Sequence, residues 1–268
     1  MVTATETRTG CCNRNCGSGA RIAVGRKTVV ITDPAHLERL IDRQVALWEV
    51  KRRLNEEGGA AAREKLSHAS EGPWVAISKQ IGSGGTDLAR RVGEHLGWQV
   101  FDKQILEAIS RETHAREKIL SCLDGRAVGV LEEYLRHLLV PGDPGQPAYV
   151  RELMRVIWAL ARQGHAILVG RGANWLLPPR HGLRVRAIAP LDVRVARVVE
   201  TEELSAADAR RRVHEDDDAQ MKFIRQVYRR EIDDPLGYDL VVNLGSVDLA
   251  SAAQAVTTTL RAKLGALP

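Results

Sequence analysis

The sequence predicts an α/β protein, a mostly parallel sheet covered by helices, and two observations predict it. Short apolar runs of buried-strand type alternate along the chain with stretches of helical spacing. The run Trp74–Val75–Ala76–Ile77 leads into Gly82, Gly84 and Gly85, after which Leu88, Ala89, Val92 and Leu96 recur at helical spacing until Gly97. Strand, glycine-rich turn and helix in that order aim free backbone N–H groups and the positive end of a helix dipole at one point. A phosphate suits that point.

A P-loop reads G-x-x-x-x-G-K-[ST]. With Gly84 as the second glycine, Lys79 stands where the first should be, Gly85 at the lysine position and Thr86 at the hydroxyl. The cradle (Gly82, Ser83, Gly84, Gly85, Thr86) is present and its charge is missing from the usual place. Lys79, at the mouth of the strand, is the candidate to supply that charge from the other side of the loop. The plain alternative is a glycine-rich turn of any doubly wound sheet.

Taken from the start, residues 1–27 read as a disordered tail, in which Cys11, Cys12 and Cys16 match no common metal-site spacing and read as unstructured thiols. Lys27 to Thr32 is β-prone. Asp33 and Pro34 then mark a helix start, with Leu37, Ile41, Val45 and Trp48 as one apolar stripe to Leu54. One amphipathic helix cannot bury its stripe alone, so it is expected to dock on the main domain, on a second copy or on a partner. Residues 28–72 are therefore assigned as an N-terminal helical extension, closed by a polar linker from Ala60 to Gly72. The main domain is expected over residues 73–268.

Gly97 to Asp102 reads as a second strand ending in an acid, followed by helices over Lys103–Arg111 and 112–140, then a break at Pro141 to Pro147. Tyr149 to Arg162 is helical. His165 to Val169 is a buried-type strand running into Gly170, Arg171, Gly172, Ala173 and Asn174. Leu183 to Ala189 alternates as a strand, Pro190 opens a helix, and Leu204 to Tyr228 is a charge-dense helix. Tyr238 to Asn243 is a last strand before a helix from Asp248 to Leu264. In such sheets ligands sit at the carboxyl ends of the strands. Three segments reach that edge: the Gly82 loop, Asp102, and Gly170 to Asn174.

Composition sets bounds. Net charge is +5 over 268 residues, which suits anionic partners such as nucleotides, while aromatics make up only 4%. No basic tract is interleaved with aromatics, so nucleic acid is not expected as a partner. No apolar run approaches the ~20 residues of a membrane span, and a cytoplasmic location is expected.

In order and spacing, I-S-K-Q-I-G-S-G-G, L-G-W-Q-V-F-D-K-Q-I-L, V-G-R-G-A-N and D-D-P-L-G-Y-D-L-V-V-N resemble the cytidylate kinase-like family, relatives of the nucleoside monophosphate kinases. The resemblance runs from about Pro73 to Leu264. It implies a five-stranded P-loop-type parallel sheet flanked by helices with a helical lid, an ATP phosphate loop at Gly82 to Thr86, and Mg²⁺ held with help from Thr86. It also implies acceptor contacts from Asp102, Arg171 and Asn174. Arg171 falls on the arginine of the family's G-R-D, and Gly172 stands where that motif has Asp. In the lid motif D-x-x-R, Asp217 fits and Gln220 occupies the arginine position, leaving Arg225, Arg229 and Arg230 as substitutes.

From the residues themselves, the alternative for Arg171 is a loop arginine pairing with a carboxylate, while Asp102 serves equally as a helix N-cap. Two functional readings follow. One is ATP-dependent phosphoryl transfer to a nucleoside monophosphate, CMP or dCMP by resemblance, with Lys79, Arg225 and Arg229 as catalytic cations. The other is a nucleotide-binding sensor or scaffold that kept the cradle and lost the clamps.

Overall fold

A computed structural model describes residues 34–57, 72–123, 125–139 and 149–265. The expected tail, its three cysteines, the β-prone run before Asp33 and the linker up to residue 71 lie outside the described residues.

Five strands form one parallel sheet: β1 (Trp74–Lys79), β2 (Gln99–Phe101), β3 (Ala166–Val169), β4 (Gly182–Ile188) and β5 (Leu240–Asn243), in the order β2-β3-β1-β4-β5. The central strand explains why its sequence is continuously apolar. Trp74 and Ala76 enter the core on one face of the sheet, Val75 and Ile77 the core on the other, and both faces are covered. Helices α2 (Gly85–Leu96) and α10 (Leu249–Leu264) pack together over the second face. Helices α3 (Lys103–Arg111), α4 (Thr113–Leu120), α5 (Gly125–Leu138) and α6 (Tyr149–Gln163) contribute to the first. The single helical stretch expected over 112–140 is thus two helices. Glu112 accounts for the first of them, since its carboxylate caps the N–H groups of His114 and Ala115 and starts α4 afresh.

Helix α1 (Pro34–Glu57) buries Leu37, Leu40, Ile41 and Trp48 in the first core, with Val45 packed at its margin. Its neighbours are α3 and α4 of the same chain, to which a contact between Lys118 and Asp42 adds a polar pin. The single-turn α7 (Ala173–Leu176) follows β3. Helices α8 (Leu191–Glu202) and α9 (Ala206–Tyr228) form a hairpin closed by Val195, Val198, Ala209 and Val213. Among the described residues no helix is long and apolar enough to cross a membrane.

Candidate active site

The β1–α2 turn is built around backbone that only glycine adopts easily. Gly82 has φ 70° and Gly84, the N-cap of α2, has φ 89°. A side chain at Gly82 would also meet the carbonyl oxygen of Arg194 at 2.4 Å. Ser83 is wholly buried, and its hydroxyl accepts from Gly85 N–H at 3.3 Å. From behind, the Arg197 guanidinium on α8 donates to the carbonyls of Gly82 (3.3 Å), Ser83 and Leu244 (3.0 Å). With those carbonyls held from one side, the N–H groups of Thr86 and Asp87 at the start of α2 have no protein partner among the described residues.

Lys79 and Gly85 are in contact across the loop. A β-carbon at residue 85 would lie 2.5 Å from Lys79 Cβ and 3.3 Å from its Cδ, so the stem of Lys79 occupies the space that a side chain at 85 would need. Among the described residues the Lys79 ammonium has neither an ion-pair nor a hydrogen-bond partner. Burial pushes its pKa down, and the carboxylate of Asp216 on α9 partly offsets that.

Parallel pairing brings further cations to the same edge. Phe101 pairs with Leu168 and Ile77 with Val169, so the residues that follow β2, β3 and β1 emerge side by side. Lys103 opens α3 with its β-carbon beside Gly170. Burial lowers the pKa of Lys103, and the neighbouring Arg171 and Arg212 charges add to the effect while Asp216 opposes it. Asp102 does what a cap does: Oδ1 accepts from Gln104 and Ile105 N–H, both at 2.9 Å. Its charge nevertheless reaches Lys79.

Arg171 sits at φ 55°, its guanidinium paired with Glu107 on α3 and 5.1 Å above the ring of Phe223 on α9. Its pKa is lowered, first by burial. Tyr228 donates its hydroxyl to the Arg171 carbonyl at 2.8 Å, and burial pushes the phenol far above its ordinary value. The Tyr228 ring fills the space beside residue 172, where a β-carbon would meet it at 2.1 Å. Asn174 is buried and gives its amide to the Gly237 carbonyl at 3.4 Å.

The structure therefore brings together Lys79, the Gly82–Thr86 turn, Asp102 and Arg171. It does not bring Arg225 with them: that side chain is exposed and its Nε donates to both oxygens of Glu231 at 2.9 Å. Arg229 is the left-handed C-cap of α9, and Arg230 stacks 5.9 Å from the Trp175 ring. Asp217, expected to head the lid motif, is bound by both Nη atoms of the buried Arg194 at 2.9 and 2.8 Å, which fastens α9 to α8. Lys103, Arg197, Arg212 and Asp216 escaped sequence reasoning. Only Lys103 carried a signal, as the residue after the strand-ending acid.

Comparison with known proteins now decides the family. The model of the cytidylate kinase-like family matches residues 74–246, well over half of the chain. The chain belongs to that family. Among curated relatives, the cytidylate kinase of Pyrococcus horikoshii is 27% identical over 169 residues, covering 63% of this chain and 78% of the relative. That of Methanopyrus kandleri is 30% identical over 179 residues, covering 63% and 83%. A crystal structure of an uncharacterized protein from Eubacterium ventriosum shares the fold, with TM-score 0.57 and 18% identity over 70% of this chain and 98% of that one. The space that a side chain at 85 or at 172 would need is filled in each case by a neighbour, Lys79 in the first and Tyr228 in the second.

Proposed function

We propose that this protein transfers the γ-phosphoryl group of ATP to a nucleoside monophosphate, CMP or dCMP, from a phosphate loop whose lysine has moved to position 79. The observation that carries the reading is the packing of Lys79 against the bare α-carbon of Gly85, together with an ammonium that has no partner among the described residues. A half-buried cation left unpaired costs stability, and a bound polyphosphate supplies the missing anion. Family membership and relatives named cytidylate kinase support the reaction class and the acceptor.

Phosphoryl transfer asks for alignment and charge neutralisation rather than covalent chemistry. In this reading the N–H groups from Gly82 to Thr86 hold the β-phosphate, and Lys79 neutralises charge between the β- and γ-phosphates. The Thr86 hydroxyl would help to hold the Mg²⁺ that accompanies ATP, and the ion would neutralise charge on the phosphates. Arg171 grips the acceptor phosphate, exchanging Glu107 for it. Asp102 borders the acceptor site while capping α3. Residues 73–268 form the catalytic domain and α1 braces its acceptor side.

A coupled ADP-release assay with MgATP and a panel of nucleoside monophosphates tests the proposal. Turnover is expected with CMP and dCMP ahead of AMP, GMP and UMP. A protein that binds ATP and transfers to none of them is a sensor instead.

A further inference from the structure

The lid of this chain lacks an arginine where its family motif places one, because Gln220 holds that position. The rotation of α9 shows what faces the site in its stead. Arg194 grips Asp217 from α8, and Val213 and Ala209 pack against α8, so the roll of α9 is fixed and the stripe immediately beside this one is set along the flank of the hairpin. Ile81 of the phosphate loop packs on the same hairpin, which sets α8 and α9 beside the loop. Arg212, Asp216 and Gln220 follow one another at intervals of four, on one face of the helix. Phe223, three residues beyond Gln220 on the same face, lies under the Arg171 guanidinium at 5.1 Å, so this face is the one turned to the cations of the sheet edge, and its Asp216 carboxylate is felt by Lys79, Lys103 and Arg171.

Arg212 is held there loosely. Its Nη1 lies 3.7 Å from Asp216 Oδ1 and its Nε 3.6 Å from Glu202 Oε2, and among the described residues it makes no hydrogen bond. Gln220 approaches the other oxygen of Asp216. A guanidinium between two carboxylates, with its planar fork unfilled, is ready to take a phosphate bidentately. Crowding by like charges points the same way: Lys103 lies within the field of both Arg171 and Arg212.

We propose that Arg212 is the lid cation of this protein: two helical turns before the vacant position 220, it contacts the transferring phosphoryl group, and Asp216 parks it until nucleotide enters. This rests on the phosphoryl-transfer reading above. Glutamine at 220 then has its own use, since an arginine there would compete with Arg212 for Asp216.

The test uses the full chain with Arg212→Gln, Arg212→Lys and the double variant Arg212→Gln/Gln220→Arg, each checked for folding by circular dichroism. With the best acceptor of the panel, Arg212→Gln should lower kcat by ~10²–10³-fold while the KM for MgATP moves less than ~3-fold, because the charge acts on the transition state. Arg212→Lys should recover little of that loss. The double variant should recover at least ~10-fold by returning the fork to the family position, which a merely structural arginine would not allow. An Arg212→Gln kcat within ~3-fold of wild type, or no recovery in the double variant, overturns the assignment. Should wild type transfer to no monophosphate, the proposed function fails by itself, and calorimetric binding of inorganic pyrophosphate then judges Arg212. Binding ~10-fold weaker in Arg212→Gln keeps its phosphate contact, and unchanged binding removes it.

Discussion

Moving the lysine back to its usual position is the sharpest perturbation the loop offers. A β-carbon at 85 would sit 2.5 Å from Lys79 Cβ and 3.1 Å from Ala187 Cβ, where two carbons need about 3.5–4.0 Å. Neither neighbour can yield easily: β1 is paired on both sides and Ala187 is fully buried in β4. Gly85→Ala should therefore cost ~1–3 kcal/mol of overpacking, or about 2–12 °C in Tm at this domain size. Lys79→Ala leaves Gly85 in place and creates no crowding, while it removes an ammonium that burial disfavours. Its Tm should stay level or rise, yet kcat should fall by ~10²-fold or more.

The double variants separate charge from space. Lys79→Ala/Gly85→Lys keeps the two β-carbons 2.5 Å apart and should rescue neither stability nor turnover. Lys79→Gly/Gly85→Lys removes the contact and should restore much of kcat, less ~0.5–1 kcal/mol for glycine inside a strand. Thermal melts and coupled turnover on the four variants read out both quantities. Equal rescue by the two doubles would show that crowding does not dictate Gly85. A wild-type kcat in Lys79→Ala would refute the relocated charge altogether.

Stability should depend on alkaline pH through the same residue. Folding lowers the Lys79 pKa below 10.5, so just under that pH the unfolded chain binds more protons and stability rises as pH rises; urea melts should show that slope reduced in Lys79→Ala. Tyr228→Phe removes the 2.8 Å bond to the Arg171 carbonyl in a buried setting, costing ~1–2 kcal/mol and raising the acceptor KM more than that of ATP in steady-state kinetics. Gly172→Ala sets a methyl 2.1 Å from the Tyr228 ring at φ 71°, and a melt should register a loss of ~2 kcal/mol or more. Asp217→Ala strands the Arg194 charge, which is 5% exposed, and denaturant titration should find ~3 kcal/mol or more of destabilisation.

The fold was legible because parallel-sheet strands announce themselves locally. Trp74–Ile77 and Ala166–Val169 are apolar without alternation since both of their faces are covered, and each is followed by glycine where the chain turns. The closeness of Lys79 to Gly85 was legible for a related reason: both residues lie within one turn, so spacing along the chain stands for distance in space. Asp102 was equally local, and its capping bonds reach only two and three residues ahead.

The lid obeys no such rule. Arg225 and Arg229 lie close to position 220 in sequence, but Arg225 turns to solvent toward Glu231 and Arg229 ends the helix in a left-handed turn. What decides which arginine looks inward is the roll of α9, and that roll is fixed by Arg194 gripping Asp217, 23 residues apart in the chain. Arg194 itself reads in the sequence as one more charged residue on a surface helix. Helical periodicity gives the face shared by Arg212, Asp216 and Gln220, but not the direction in which that face points. The glycine turn is thus written in consecutive residues, whereas which charges of α9 face it depends on a buried ion pair between two helices. A substitution in that pair should disturb the lid more than any change in the exposed arginines beyond it.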